Sequence, residues 1–363
     1  MNRVVAAVAL GLIGLVAAPS QAQDNMKPTV KEDISFKTFD GVLLKGTFYP
    51  NQKGGGAAPV VMFLHKLGGS RTQDGWEGLA NKLQYKGYAV LAFDFRGHGA
   101  STIIEEPSIF WSKAYNQTYL SKPDVKKKSI AFTDFKLGYI PYLVNDIAAA
   151  RHDLDKRNDT GQCNTSNIIV IGAEEGATLG FFWIVTEFYR SQIYKTQNLF
   201  QFERGVVNTD VAGEDIAGAI WLSYRKSPGM KAESAGLPFP YERWMATNSA
   251  GNSSISVLRD RIPMWFAAGA SDAKGKADAH YMYDNVLHAD KAKQKLELTS
   301  KKEVPGTNLR GVSLLGEKAL NTDELIEKFI DIAVKKRPNQ APLKRNASDY
   351  KPTWIDPTGF FLR

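Results

Sequence analysis

Ile168-Ile169-Val170-Ile171-Gly172-Ala173-Glu174-Glu175-Gly176 decides how the chain folds. Four β-branched residues in a row read as a strand covered on both faces, because a half-exposed strand would alternate apolar and polar residues. Gly172 and Gly176 bracket a tight turn. An apolar helix follows at once, from Ala177 through Leu179, Phe181, Phe182 and Trp183 to Val185. Strand, sharp turn and helix in this order present the middle residue of the turn at the C-terminal edge of a parallel sheet, where sites form in open α/β folds. That middle residue is Glu174.

Other buried strands flank this one. Pro59-Val60-Val61-Met62-Phe63-Leu64 ends in a Gly-rich turn, His65-Lys66-Leu67-Gly68-Gly69. Trp76 to Lys86 has helical spacing, with Trp76, Leu79, Ala80 and Leu83 on one face. Tyr88 to Phe93 is the next strand and runs into Asp94-Phe95-Arg96-Gly97-His98-Gly99-Ala100-Ser101. Upstream, Asp33–Phe39 and Val42–Tyr49 alternate around Asp40-Gly41, the mark of a hairpin. Downstream, Tyr142 to Arg157 is an amphipathic helix, and Ile216–Leu222 and Ile262–Ala268 are buried strands. The spacing predicts a helix over Ala279–His288 and a last, edge strand over Lys295–Glu303. It also predicts a final helix N-capped by Thr322.

A strand ending in His-x-x-Gly-Gly, a helix, a strand ending in Asp-x-Arg-Gly-His-Gly-x-Ser and then a Gly-x-x-x-Gly elbow resemble the α/β-hydrolase superfamily. The likeness is greatest to its serine-aminopeptidase, lysophospholipase and dienelactone-hydrolase-like branches. It runs from about residue 33 to residue 337, with insertions at about 102–137 and 225–257 and a C-terminal tail over 338–363. The resemblance implies a mostly parallel twisted sheet with helices on both faces.

The resemblance also implies where chemistry would sit. Acyl transfer needs a nucleophile, a base, an orienting acid and two N–H groups for the oxyanion, in the chain order nucleophile, acid, histidine. Glu174 fills the nucleophile position, where the family has Ser or, in dehalogenases and epoxide hydrolases, Asp. Asp272, in Gly269-x-x-Asp272, matches the acid; an Asp there would equally cap a helix. The histidine position matches Arg310, in Arg310-Gly311, and an arginine keeps its proton. His65 is the substitute base nearest the mouth. Backbone N–H groups of Lys66 or Leu67, together with Glu175, are the oxyanion candidates. Two like-charged carboxylates raise each other's pKa unless a cation relieves them. A Glu174–Arg310–Asp272 ion-pair network, with Lys66 beside it, is therefore expected in place of the triad.

Two readings of function follow: a degenerate hydrolase acting as a binding or structural module, or an active hydrolase of ester- or amide-type bonds working through Glu174. The first is favoured because nucleophile and base positions depart together. The expected ligand is a small molecule or peptide. Glu174, Glu175, Asp272 and His65 offer hard ligands, but no His-Glu-x-x-His or related spacing supports a metal, and no cofactor is implied.

Bulk properties narrow the rest. Formal charge is +8 over 363 residues, and removing residues 1–22 takes away one arginine and no acid, leaving +7. The excess is scattered apart from Lys126-Lys127-Lys128, without a basic helix or an aromatic-basic motif, so no nucleic-acid partner is expected. Cys163 is the sole cysteine; it lies in a polar loop and reads as an inert thiol. Val4 to Ala18 is a short apolar run ending in Pro19-Ser20-Gln21-Ala22. It reads as a signal peptide cleaved after Ala22, and hence a periplasmic or extracellular protein. No later run is long enough to span a bilayer.

Overall fold

The computed structural model describes residues 29–53, 55–197, 207–208, 210, 212–226, 254–292, 298–337 and 340–357. The leader at 1–22 and most of the 225–257 insertion lie outside the described residues. Strands β1 (Glu32–Lys37), β2 (Val42–Tyr49), β3 (Pro59–Leu64), β4 (Ala89–Phe93), β6 (Asn164–Ala173), β7 (Ile216–Leu222), β8 (Met264–Gly269) and β9 (Glu303–Val304) form one sheet in the order β1-β2-β4-β3-β6-β7-β8-β9. The short β5 (Ile103–Ile104) pairs with β2. From β4 through β3, β6, β7 and β8 to β9 all pairs are parallel, whereas β1, β2 and β5 join antiparallel. This is the α/β-hydrolase fold.

The alternation of side chains along each strand explains the two layers of helices. Val60, Met62, Leu91, Ile168, Val170 and Trp221 face a core shared with α4 (Val144–Asp159) and α5 (Glu175–Gln197). Val61, Phe63, Val90, Ile169, Ile171 and Ile220 face α1 (Trp76–Lys86) and α8 (Thr322–Lys335). β6 is central and buried along its whole length, as its β-branched run demands. Its C-terminal end is therefore fixed from both faces, and so is whatever the turn after it carries.

Several local expectations change. The insertion over residues 102–137 is built of defined elements: besides β5 it holds α2 (Pro107–Ser112) and α3 (Ala114–Tyr119), and Phe110, Trp111 and Phe135 enter the main core. Of the expected last strand, residues 295–297 lie outside the described residues; the rest is a lone bridge between Trp265 and Ser300 and then Glu303–Val304 at the sheet edge, where Pro305-Gly306 stops it. The predicted 279–288 helix starts earlier, as α7 (Ala273–His280), and passes into a π turn over Tyr281–Val286. Thr322 is the first helical residue rather than the cap; Asn321 occupies that place in the left-handed conformation, which Asn tolerates. Upstream of both, α6 (Ser254–Arg261) leads into β8. The tail over 340–357 packs back on the domain: Ile355 exchanges hydrogen bonds with Asn145 at 2.8 and 2.6 Å, and Trp354 stacks on Tyr115 at 4.9 Å.

Candidate functional site

The turn after β6 is a strained elbow. Glu174 has φ 50°, a left-handed conformation rare for a non-glycine residue. The glycines on either side make it possible. A Cβ on Gly172 would run into the Ala177 backbone, and one on Gly176 into the carbonyls of Leu64 and His65. The first turn of α5 thus lies against the end of β3, with Glu174 raised at the strand edge.

The environment of Glu174 is ionic and enclosed. The residue is 7% exposed. Lys66 Nζ lies 3.4 Å from its Oε1 and Arg225 Nη2 lies 3.6 Å from its Oε2. Arg225 also reaches Asp272, with Nη1 3.8 Å from Oδ1. Arg225 therefore sits between the two carboxylates, and the expected network forms around a different arginine. The Arg225 carbonyl accepts a hydrogen bond from the Thr178 hydroxyl of α5, which ties the loop after β7 to the elbow helix. Arg225 Nη1 and Asp272 Oδ2 are buried without a hydrogen-bond partner.

Arg310 does not join this group. Its side chain is exposed and makes no ion pair with Glu174 or Asp272. The loop itself arrives where the resemblance put it. A Cβ on Gly311 would come 2.7 Å from Glu174 Oε1, and the Gly311 N–H donates to Ser223 Oγ at 2.8 Å. The Gly311 backbone thus packs against the carboxylate, while the neighbouring arginine turns outward. Arg225 is legible in principle, as the third residue after the buried strand beside the elbow strand, at the start of the 225–257 insertion.

Asp272 is a helix cap that also faces the arginine. Its Oδ1 accepts the Gly275 N–H at 3.0 Å and caps α7, and the same oxygen faces Arg225. His65 is hydrogen-bonded at both ring nitrogens. Its Nε2 accepts the Phe95 N–H at 3.0 Å, so Nδ1 carries the proton and donates to the Lys66 carbonyl at 2.6 Å. Burial, with His98 5.2 Å away, pushes its pKa down to about 4. Both ring nitrogens are spent on holding the turns after β3 and β4.

The oxyanion candidates lie beside a second carboxylate, that of Glu175, on which the backbone N–H groups of Leu67 and of Glu175 itself pull electrostatically. Burial pushes that carboxyl up from its ordinary value, against the pull of these donors, and the adjacent Glu174 adds to the rise. Lys66 contributes its ammonium to Glu174, and its carbonyl receives His65. Cys163 is buried just ahead of β6, and burial pushes its thiol up to about 12, which leaves it a thiol rather than a nucleophile. Among the described residues no group of three or more His, Cys, Asp or Glu could hold a metal ion, and no helix is long and apolar enough to cross a membrane.

No family model matches the chain, and no curated protein matches it. Solved structures do. An esterase of Pyrococcus furiosus shares 17% identity over 84% of this chain and 91% of its own, with TM-score 0.48. A dienelactone hydrolase of Anabaena variabilis shares 16% over 84% and 98%, with TM-score 0.45. A fungal esterase of Rhizomucor miehei shares 14% over 86% of each chain, with TM-score 0.47.

Proposed function

We propose that this protein is a catalytically degenerate α/β-hydrolase that is exported and binds a polar small molecule or peptide at the elbow. The company that Glu174 keeps carries the reading: among the described residues its charged partners are Lys66 and Arg225, two cations. Acyl transfer through a carboxylate would leave an ester on Glu174, and releasing it requires a base to activate water. Arg225 cannot accept a proton, and both nitrogens of His65 are engaged. Arg225 Nη1 and Asp272 Oδ2, buried without hydrogen bonds, are the natural anchors for a polar ligand, since an unpaired buried polar atom is costly until something satisfies it.

The test is an assay of purified protein with p-nitrophenyl esters and an aminopeptidase substrate panel beside Glu174→Ala. The expected result is no difference between the two proteins. Turnover that Glu174→Ala abolishes would overturn the reading in favour of an active hydrolase. Export is tested separately by intact-mass analysis of the protein recovered outside the cytoplasm, where a chain beginning at Gln23 is expected and a retained leader would remove the export step.

A further inference from the structure

The N-terminal end of the sheet carries a second, more sharply built cluster of charge. Ser166 lies near the start of β6, eight residues before Glu174, or about 26 Å along an extended strand. There the tail meets α4. Arg151, 1% exposed, bonds Asp155 through Nε at 2.9 Å and Asp215 through Nη2 at 2.8 Å. Arg345, from the tail, gives Nη2 to the other oxygen of Asp215 at 2.8 Å and to Ser166 Oγ at 3.1 Å. Each guanidinium still has a donor to spare. Arg151 Nη1 and Arg345 Nε are buried without a partner, and so is His152 Nε2.

These residues line one small cavity, together with Arg190, Tyr350 and Lys351. Its free space of about 20 Å³ holds one or two water-sized groups. Four cations line it, Arg151, Arg190, Arg345 and Lys351. The carboxylates bonded to them, Asp155, Asp215 and Glu187, leave one positive charge in excess. Arg151 and Arg345 both line this space, and a pair of guanidinium groups is matched by a planar anion with two oxygens.

A larger groove adjoins it. His152, Tyr350 and Lys351 line both spaces. The groove has a volume of about 500 Å³ and runs between the β1–β2 hairpin, α4 and the tail, a size in the range of small-molecule sites. Phe36, Leu43 and Pro352 give it apolar patches between the charged Lys37, Glu105, Asp153 and Lys156. Lys37 is paired with Glu105 and Glu106. The arrangement is a groove of mixed apolar and charged walls that ends in a cationic pocket.

We propose that this joint between α4, the β1–β2 hairpin and the C-terminal tail binds an amphipathic monocarboxylate, with its carboxylate on Arg151 and Arg345 and its apolar body in the groove. Both unspent guanidinium N–H groups then gain charge-assisted hydrogen bonds, and their desolvation is offset. The site owes nothing to the elbow, so it stands or falls apart from the reading of Glu174.

Calorimetric titration of the full chain with decanoate tests it, with decanol as the uncharged control and inorganic phosphate as the head group without a body. Decanoate is expected to bind at least tenfold more tightly than either. Arg345→Gln should weaken it at least tenfold, and Lys156→Glu, at an exposed position, severalfold. Circular dichroism checks that each variant is folded; if Arg345→Gln is not, Lys156→Glu carries the test. Absence of decanoate binding, which would leave the cavity to water, overturns the proposal. So does decanol or phosphate binding as tightly as decanoate, or decanoate affinity indifferent to the folded variants.

Discussion

Two ion networks stand at the C-terminal edge of the same sheet, and they differ in how they are closed. Around Arg96, after β4, every contact is direct. Its N–H and Nε bond Asp146 at 2.8 and 2.7 Å, and its Nη1 and Nη2 bond Asp40 at 2.7 and 3.0 Å. All three side chains are fully buried. Burial pushes the Asp40 carboxyl up, but Arg96 outweighs it and holds the carboxyl below its ordinary value. Around Arg225, after β7, the charges stand 3.6 and 3.8 Å apart and two buried atoms have no hydrogen bond. The first network has no capacity left and is a brace. The second keeps donors and acceptors in reserve, which is what a binding site needs and a brace does not.

The sharpest break of this contrast is Arg96→Met. Removing the guanidinium leaves Asp40 and Asp146 buried side by side without their cation, and uncompensated buried charge costs about 3–5 kcal/mol. Urea unfolding should show a loss of that size; a loss under about 1 kcal/mol would mean that the saturated network is not a brace.

His65 extends the braced side to pH. Its pKa in the folded chain is about 4 because burial disfavours the imidazolium, against about 6.5 unfolded. Between those values the unfolded chain binds the extra proton and the folded chain does not. Stability therefore falls as pH drops from about 6.5 to about 4, by on the order of 3 kcal/mol. His98 and His152 are lowered by burial too and act in the same direction. The measurement is the difference between wild type and His65→Asn in urea unfolding across that range; identical pH slopes would show that His65 is not held neutral.

The same contrast explains what could be read from the sequence. The braced motifs were legible because short-range patterns encode them: Asp-Gly at the hairpin, Asp-x-Arg-Gly-His-Gly after β4, and the β-branched run of β6. The elbow was legible for the same reason, since Gly172 and Gly176 fix the turn whatever residue lies between them. Which arginine reaches Glu174 was not. Arg225 and Arg310 both follow strand ends near the elbow, and only three-dimensional packing decides that Thr178 fixes the loop of one while Gly311 turns the other outward. His65 likewise looks like a base in sequence. It becomes a strut only when the Phe95 N–H, thirty residues away, is seen on its Nε2.

Arg225→Met should cost less than Arg96→Met, because its ion pairs are longer and no direct hydrogen bond is lost. A buried group deprived of its partner costs about 1–3 kcal/mol, and Lys66 remains to accompany Glu174. Thermal denaturation at neutral pH measures it. A loss equal to that of Arg96→Met would erase the distinction between the two networks.

The smallest effect falls on the residue that the sequence put at the centre. Arg310 is exposed and pairs with neither carboxylate, so Arg310→Ala should change stability by no more than about 0.5 kcal/mol. Gly311, one position on, is its internal control. It has φ 56°, and its missing Cβ leaves the space that Glu174 Oε1 occupies. Gly311→Ala places a methyl against that oxygen and strains the backbone, and should cost at least about 1 kcal/mol. Urea unfolding of the two variants side by side separates loop position from side chain. If Arg310→Ala were the more damaging, the ionic centre of the elbow would have to be redrawn around Arg310.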